Sequence, residues 1–167
     1  MRQFVACLFL ALVLAGRVPA FAQTSPARVC VAEVETREPG ISPTAVRDAL
    51  IKFLSKQKGL EAEEVPLEAS DSAAAMTQAK DKKCDYLVDM MVTEVHSESG
   101  YTAGYSGVNL QTFFVTVNYK LSKVSDGAEQ ASGSFKASDR GSAQSAVIAT
   151  MKKTAEKVAE AIKNTAR

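Results

Sequence analysis

The chain has 167 residues with 20 basic and 19 acidic side chains, a balance that argues against a nucleic-acid partner, which would need excess Lys and Arg to displace phosphate counterions. Tryptophan is absent and aromatics make up only 7% of residues, which disfavours a carbohydrate-stacking platform. One histidine and three cysteines show no recognisable ligand spacing, whereas a zinc site needs three or four converging ligands.

The N-terminus reads as an export signal. Arg2 precedes an uncharged apolar run over residues 4–16, shorter than the roughly 20 residues a membrane-spanning helix needs. Pro19 interrupts the run, and Ala20-Phe21-Ala22 offers small residues at both pocket positions of an A-x-A cleavage site. Residues 1–22 are therefore expected to be a signal peptide, with Gln23 first after cleavage. The run has no polar face, so it does not read as an amphipathic core helix. No cysteine follows Leu14-Ala15-Gly16, so lipid attachment is not expected. The mature protein is expected in the periplasm or secreted, without stable membrane insertion. Losing Arg2 and Arg17 keeps it within one charge of neutral. Its length, about 145 residues, suits one domain over residues 28–164 behind a short flexible leader at 23–27.

Residues 28–36 alternate and are rich in valine, which predicts a strand. After the turn at Glu38-Pro39-Gly40, Ser42 and Pro43 supply an N-cap and a first-turn proline for a helix to about Lys58, stopped by Gly59. A short strand follows within 60–67. Ser70 or Asp71 caps a light helix to about Lys82, whose buried face uses Ala75, Met76 and Ala79. Residues 86–95 are apolar enough for a central strand. Residues 96–109 break the pattern. From 110 to 124 strict alternation returns, with Phe113, Val115, Val117, Tyr119 and Leu121 on one face and Thr112, Thr116, Asn118, Lys120 and Ser122 on the other. Asp126-Gly127 makes a hairpin turn into a strand over 129–137, and an amphipathic helix covers about 142–164. On that helix Lys152, Lys153, Lys157 and Lys163 form a solvated face balanced by Glu156 and Glu160.

The order is β-α-β-α-β-β-β-α, an α/β (α+β) class with one mixed sheet of about five strands and helices packed on it. If the first and third strands are parallel neighbours, Cys30 and Cys84 lie at the same end of the sheet, and an oxidising compartment would join them. Two separate buried thiols are the alternative.

Two segments carry a family likeness. Lys83-Cys84-Asp85-Tyr86-Leu87-Val88, leading into Val92-Thr93-Glu94-Val95, resembles a passage of exported CsgG-like, LpoB-like and TolB amino-terminal-like domains. Residues 115–135, ending in Ser132-Gly133-Ser134-Phe135, are similar to the meander of the same group. The resemblance implies a cell-envelope domain acting by protein–protein contact in secretion or envelope assembly, with no catalysis and no cofactor. The lipidated members of that group carry an acylated cysteine that this chain lacks.

Several side chains could carry chemistry. His96 stands beside Ser97, Glu98 and Ser99, but adjacent residues point in different directions, so a polar loop start is the better reading. Asp89 is a carboxylate within an apolar strand, either a raised-pKa acid or a partner for a lysine. Asp81 and Asp85 share its spacing of four, though no helix is expected to run through them. Glu33 and Glu35 share one strand face. The stretch from Ser99 to Asn109 holds Gly100, Gly104 and Gly107 with Tyr101 and Tyr105, joining adaptable backbone to amphipathic contact area as recognition loops do. Tyr101, Tyr105, Gly100 and Gly104 are therefore the expected binding loop, joined by the exposed sheet face, with an envelope protein as partner and an oligomer built through the edge strand as a further option. The competing reading is a small-molecule-binding or hydrolytic domain using Asp89 or His96.

Overall fold

A computed structural model describes residues 27–57, 63–66, 71–101 and 109–165. The signal peptide, the leader up to residue 26 and the stop at Gly59 lie outside them.

Eight elements follow the expected order: β1 (Arg28–Val31), α1 (Pro43–Leu54), β2 (Glu63–Pro66), α2 (Ser72–Asp81), β3 (Tyr86–Tyr101), β4 (Asn109–Lys123), β5 (Glu129–Asp139) and α3 (Ala143–Thr165). The strands form one mixed sheet in the order β2-β1-β3-β4-β5. β1 runs parallel to β2 and β3, and the β3–β4 and β4–β5 pairs are antiparallel.

Local chemistry sets the helix starts. Ser42 accepts the Ala45 amide at 3.3 Å and caps α1 ahead of Pro43. Asp71, rather than Ser70, caps α2 by accepting the amides of Ala73 and Ala74. α2 ends in a Schellman motif, with the Lys83 amide on the Lys80 carbonyl and the Cys84 amide on the Ala79 carbonyl. Lys83 takes a left-handed φ of 56° to close it.

The sheet buries both faces near its parallel end. On one side Val46, Leu50 and Leu54 of α1 and Val147, Met151, Val158 and Ile162 of α3 pack on Val29, Val31, Val88, Val117 and Leu121. On the other, Ala75 and Ala79 of α2 cover Cys30, Ala32, Leu87 and Val124, with Met76 half-buried beside them. A disulfide joins Cys30 to Cys84 across a Cα separation of 5.8 Å, tying β1 to the link between α2 and β3. The Asp-Gly hairpin places Gly127 at φ 73° and caps the turn through the Asp126 carboxylate on the Ala128 amide.

Two expectations need correcting. β1 stops at Val31 instead of continuing to Thr36. Ala32 donates to Val88 and Glu35 donates to Met90, so three residues advance on one chain against two on the other, and the ladder breaks. Only Glu35 rejoins, as an isolated bridge to Met91. β3, in contrast, does not end at Val95. It continues to Tyr101, because its polar residues find backbone partners in β4 without needing a buried face.

Candidate contact surface on the β3–β4 arm

β3 and β4 are longer than the sheet that holds them. β1 leaves β3 at Val31 opposite Val88, apart from the Glu35 bridge, and β5 leaves β4 where Asp139 pairs with Phe113. The last four rungs pair Glu98 with Thr112, Ser99 with Gln111, Gly100 with Leu110 and Tyr101 with Asn109. Among the described residues no strand flanks these rungs on either side. At about 3.4 Å per residue they project roughly 13 Å past the sheet as a two-stranded arm. A bulge at Thr93, between the pairs Val92–Val117 and Glu94–Thr116, sits at the base. Such insertions sharpen twist and re-aim the strand beyond them.

The predicted binding loop divides on this geometry. Gly100 is a strand residue near the arm's end, and Tyr101 is the last β3 residue. Gly104, Tyr105 and Gly107 lie outside the described residues.

The arm's base has a defined polar surface. His96 stacks on Phe114 from the opposite strand, with ring centroids 5.0 Å apart and planes within 10°. Its Nε2 lies 4.0 Å from Glu98, and both side chains are exposed. Thr116 donates its hydroxyl to Glu94 at 2.9 Å, and Gln111 donates to Ser97 at 3.0 Å. A shallow depression of about 260 Å³ spans Glu94, His96, Phe114, Thr116, Lys136 and Ser138. On the other side of β3, a groove of about 650 Å³ runs between the segment 33–38 and the open edge at 91–95. Glu33, Glu35, Glu38 and Glu94 line it against a single Arg37, so it is acidic. Thr44 holds Glu33 in place with a 3.1 Å hydrogen bond.

Asp89 sits elsewhere. It faces the start of α2, accepts the Ser72 hydroxyl at 3.2 Å and lies 3.7 Å from the Lys120 ammonium directly across in β4. Burial pushes its carboxyl above the ordinary range, with Lys120 and then Ser72 opposing that rise. His96 is seven residues further along β3, about 20 Å away, so the two do not share a site. Glu33 and Glu35 come together in the acidic groove. Asp85 is a backbone clamp, accepting the Arg28 amide at 2.8 Å. Among the described residues no cluster of three His, Cys, Asp or Glu could hold a metal ion, and no helix is long and apolar enough to cross a membrane.

Sequence reading raised an oligomer built through an edge strand without saying which strands present open edges. Among the described residues, β5 offers its outer edge along its whole length, and β3 offers its β1-facing edge from Thr93 to Tyr101. A usable signal was present between the terminal charges Glu129 and Asp139, since residues 130–138 contain small and polar side chains, one charge at Lys136 and no proline. Edge strands that avoid pairing usually carry more charge or a proline.

No protein-family description matches the chain, and no curated protein matches it by sequence. Solved structures do share its fold. A single-substitution variant of the PelC dodecamer from Paraburkholderia phytofirmans overlays at TM-score 0.52 and 22% identity, covering 81% of this chain and 87% of that one. A second PelC dodecamer from the same organism overlays at 0.51 and 20%, with coverages of 81% and 86%. The LpoB C-terminal domain from Salmonella enterica gives 0.45 and 14%, over 70% of this chain and 86% of that one. What the chain shares with the PelC structures is therefore its overall fold.

Proposed function

We propose that this chain is an exported, non-enzymatic domain of the cell envelope that works by protein contact and assembles with copies of itself. Its contact element is the β3–β4 arm. The observation that carries this reading is the arm's unpaired backbone: four rungs beyond the sheet and an open β3 edge beside an acidic groove. Exposed N–H and C=O groups in a row are a template for another strand. The Cys30–Cys84 disulfide supports an oxidising compartment, in keeping with the signal-like segment at 1–22. The dodecameric state named for PelC, which has a comparable fold, supports self-assembly as the kind of contact. Contact within secretion or envelope-assembly machinery is the wider role we assign. A catalytic role has less support, because Asp89 is engaged by Ser72 and Lys120, and His96 is committed to a surface stack far from it.

The test is cross-linking in intact cells, comparing the native chain with one whose residues 98–112 are replaced by Asn-Gly. The native chain should appear in adducts heavier than a single copy, and the shortened chain should lose them. Identical adduct patterns from both would sink the arm as contact element.

A further inference from the structure

The geometry points to a specific copy-to-copy joint: the outer edge of β5 in one copy pairs with the open edge of β3, residues 93–101, in the next. This inference rests on the self-assembly reading above and names the surfaces that carry it.

The two edges face opposite ways across the sheet, β5 at its end and the β3 edge on the side that β1 vacates. Both strands run antiparallel to β4, so they point in the same direction. A neighbouring copy in the same orientation can thus add its β3 alongside β5 as a parallel rung, continuing one sheet through both copies. The edges are similar in length, with nine residues in the open part of β3 and eleven in β5. β5 reaches only the level of Ser97 in its own copy, so the next copy must sit offset along the strand direction.

Charge favours this joint over a pairing of like edges. Register places Glu94, Thr116 and Lys136 side by side on one sheet face, and alternation adds His96 and Glu98 to that face of β3. In a sheet continued between copies that face is preserved. Lys136 of one copy then approaches Glu94 and Glu98 of the next, with the acidic groove behind them. Among the described residues Lys136 has no ion-pair partner within its own chain. Two β5 edges would bring no acidic cluster to Lys136, and two β3 edges would instead gather the carboxylates Glu94 and Glu98 of both copies on one face. Like charges across a strand pair are destabilising. Small residues on β5, including Ala131, Ser132, Gly133 and Ser134, leave its edge open to close approach.

Such a joint uses different surfaces on its two sides, so it repeats from copy to copy and closes into a ring or continues as a filament.

The test measures the mass of the purified exported chain by light scattering, with circular dichroism confirming the fold of each variant. The native chain should exceed two copies. Lys136→Glu should fall toward one copy, and so should the Glu94→Lys, Glu98→Lys double variant. An equimolar mixture of these two should recover the native mass, because alternating copies restore an opposite-charge contact at every joint. Recovery also excludes misfolding as the cause of the loss. If the native chain assembles and neither variant changes its mass, the β3–β5 joint is wrong while self-assembly stands. If variants that fold as the native chain does lose mass but the mixture does not recover it, the charge pairing is wrong. A native mass of two copies means an isologous joint and overturns the head-to-tail arrangement. A native mass of one copy overturns both the joint and the self-assembly reading, and leaves a different protein as the arm's occupant.

Discussion

At the scale of single residues, two positions test how local chemistry sets the fold. Lys83 holds a left-handed backbone at the end of α2, a conformation that costs a side-chain-bearing residue about 1–2 kcal/mol relative to glycine. Lys83→Gly should therefore raise unfolding free energy by about 1 kcal/mol in a denaturant titration, partly offset by the greater entropy of the unfolded chain. A loss of stability would show that the lysine side chain makes a contact worth more than the strain. Asp89 gives a pH signature. Burial raises its folded pKa above the ordinary value of 3.8, so the folded chain holds this proton more tightly than the unfolded chain does. Its contribution is most favourable below the unfolded value and is lost as pH rises through the folded one. Asp89→Asn removes that slope. The stability of the native chain relative to this variant should thus fall as pH rises from below 3.8 through the raised folded value. A flat difference would mean that Lys120 and Ser72 fully offset burial.

At the scale of elements, what the sequence made legible had a local cause. Ser42 with Pro43, the Asp126-Gly127 turn and the alternation through residues 110–124 each place an element by chemistry contained within a few residues. The far half of β3 had no such mark. His96, Ser97, Glu98 and Ser99 show no apolar period, because neither face of the arm is covered, and strand structure there comes from β4 alone. β1 failed in the other direction: Val34 keeps the apolar alternation going past Val31, although an extra residue has already broken the ladder. The staple between elements is also testable. Replacing both Cys30 and Cys84 with Ser should cost about 2–5 kcal/mol, since the bridge closes a long loop and ties β1 to the start of β3. Adding a reductant should then change the native unfolding midpoint and leave the variant's unchanged. Equal sensitivity in both would argue against the bridge. In the helical layer, Leu50→Ala should cost about 2–5 kcal/mol, because Leu50 is fully buried between α1 and the sheet.

At the scale of the whole molecule, the architecture is an asymmetric sheet. Its parallel end is buried on both faces by three helices and tied by a disulfide, and its antiparallel end carries an arm with open backbone and an acidic groove. The sequence announced the first half through helix stripes and paired cysteines. It pointed to the arm only indirectly, through the Gly and Tyr residues around its end. Strand edges depend on which neighbour is absent, and no residue records that on its own. The central claim is that this arm joins the chain to other proteins, its own copies first. The most direct measurement is the solution mass of the exported chain beside the variant with residues 98–112 replaced by Asn-Gly, at matched concentration and with matched circular dichroism. The account predicts more than one copy for the native chain and a single copy for the shortened one. A single copy for the native chain, or an equal multiple for both, would contradict it.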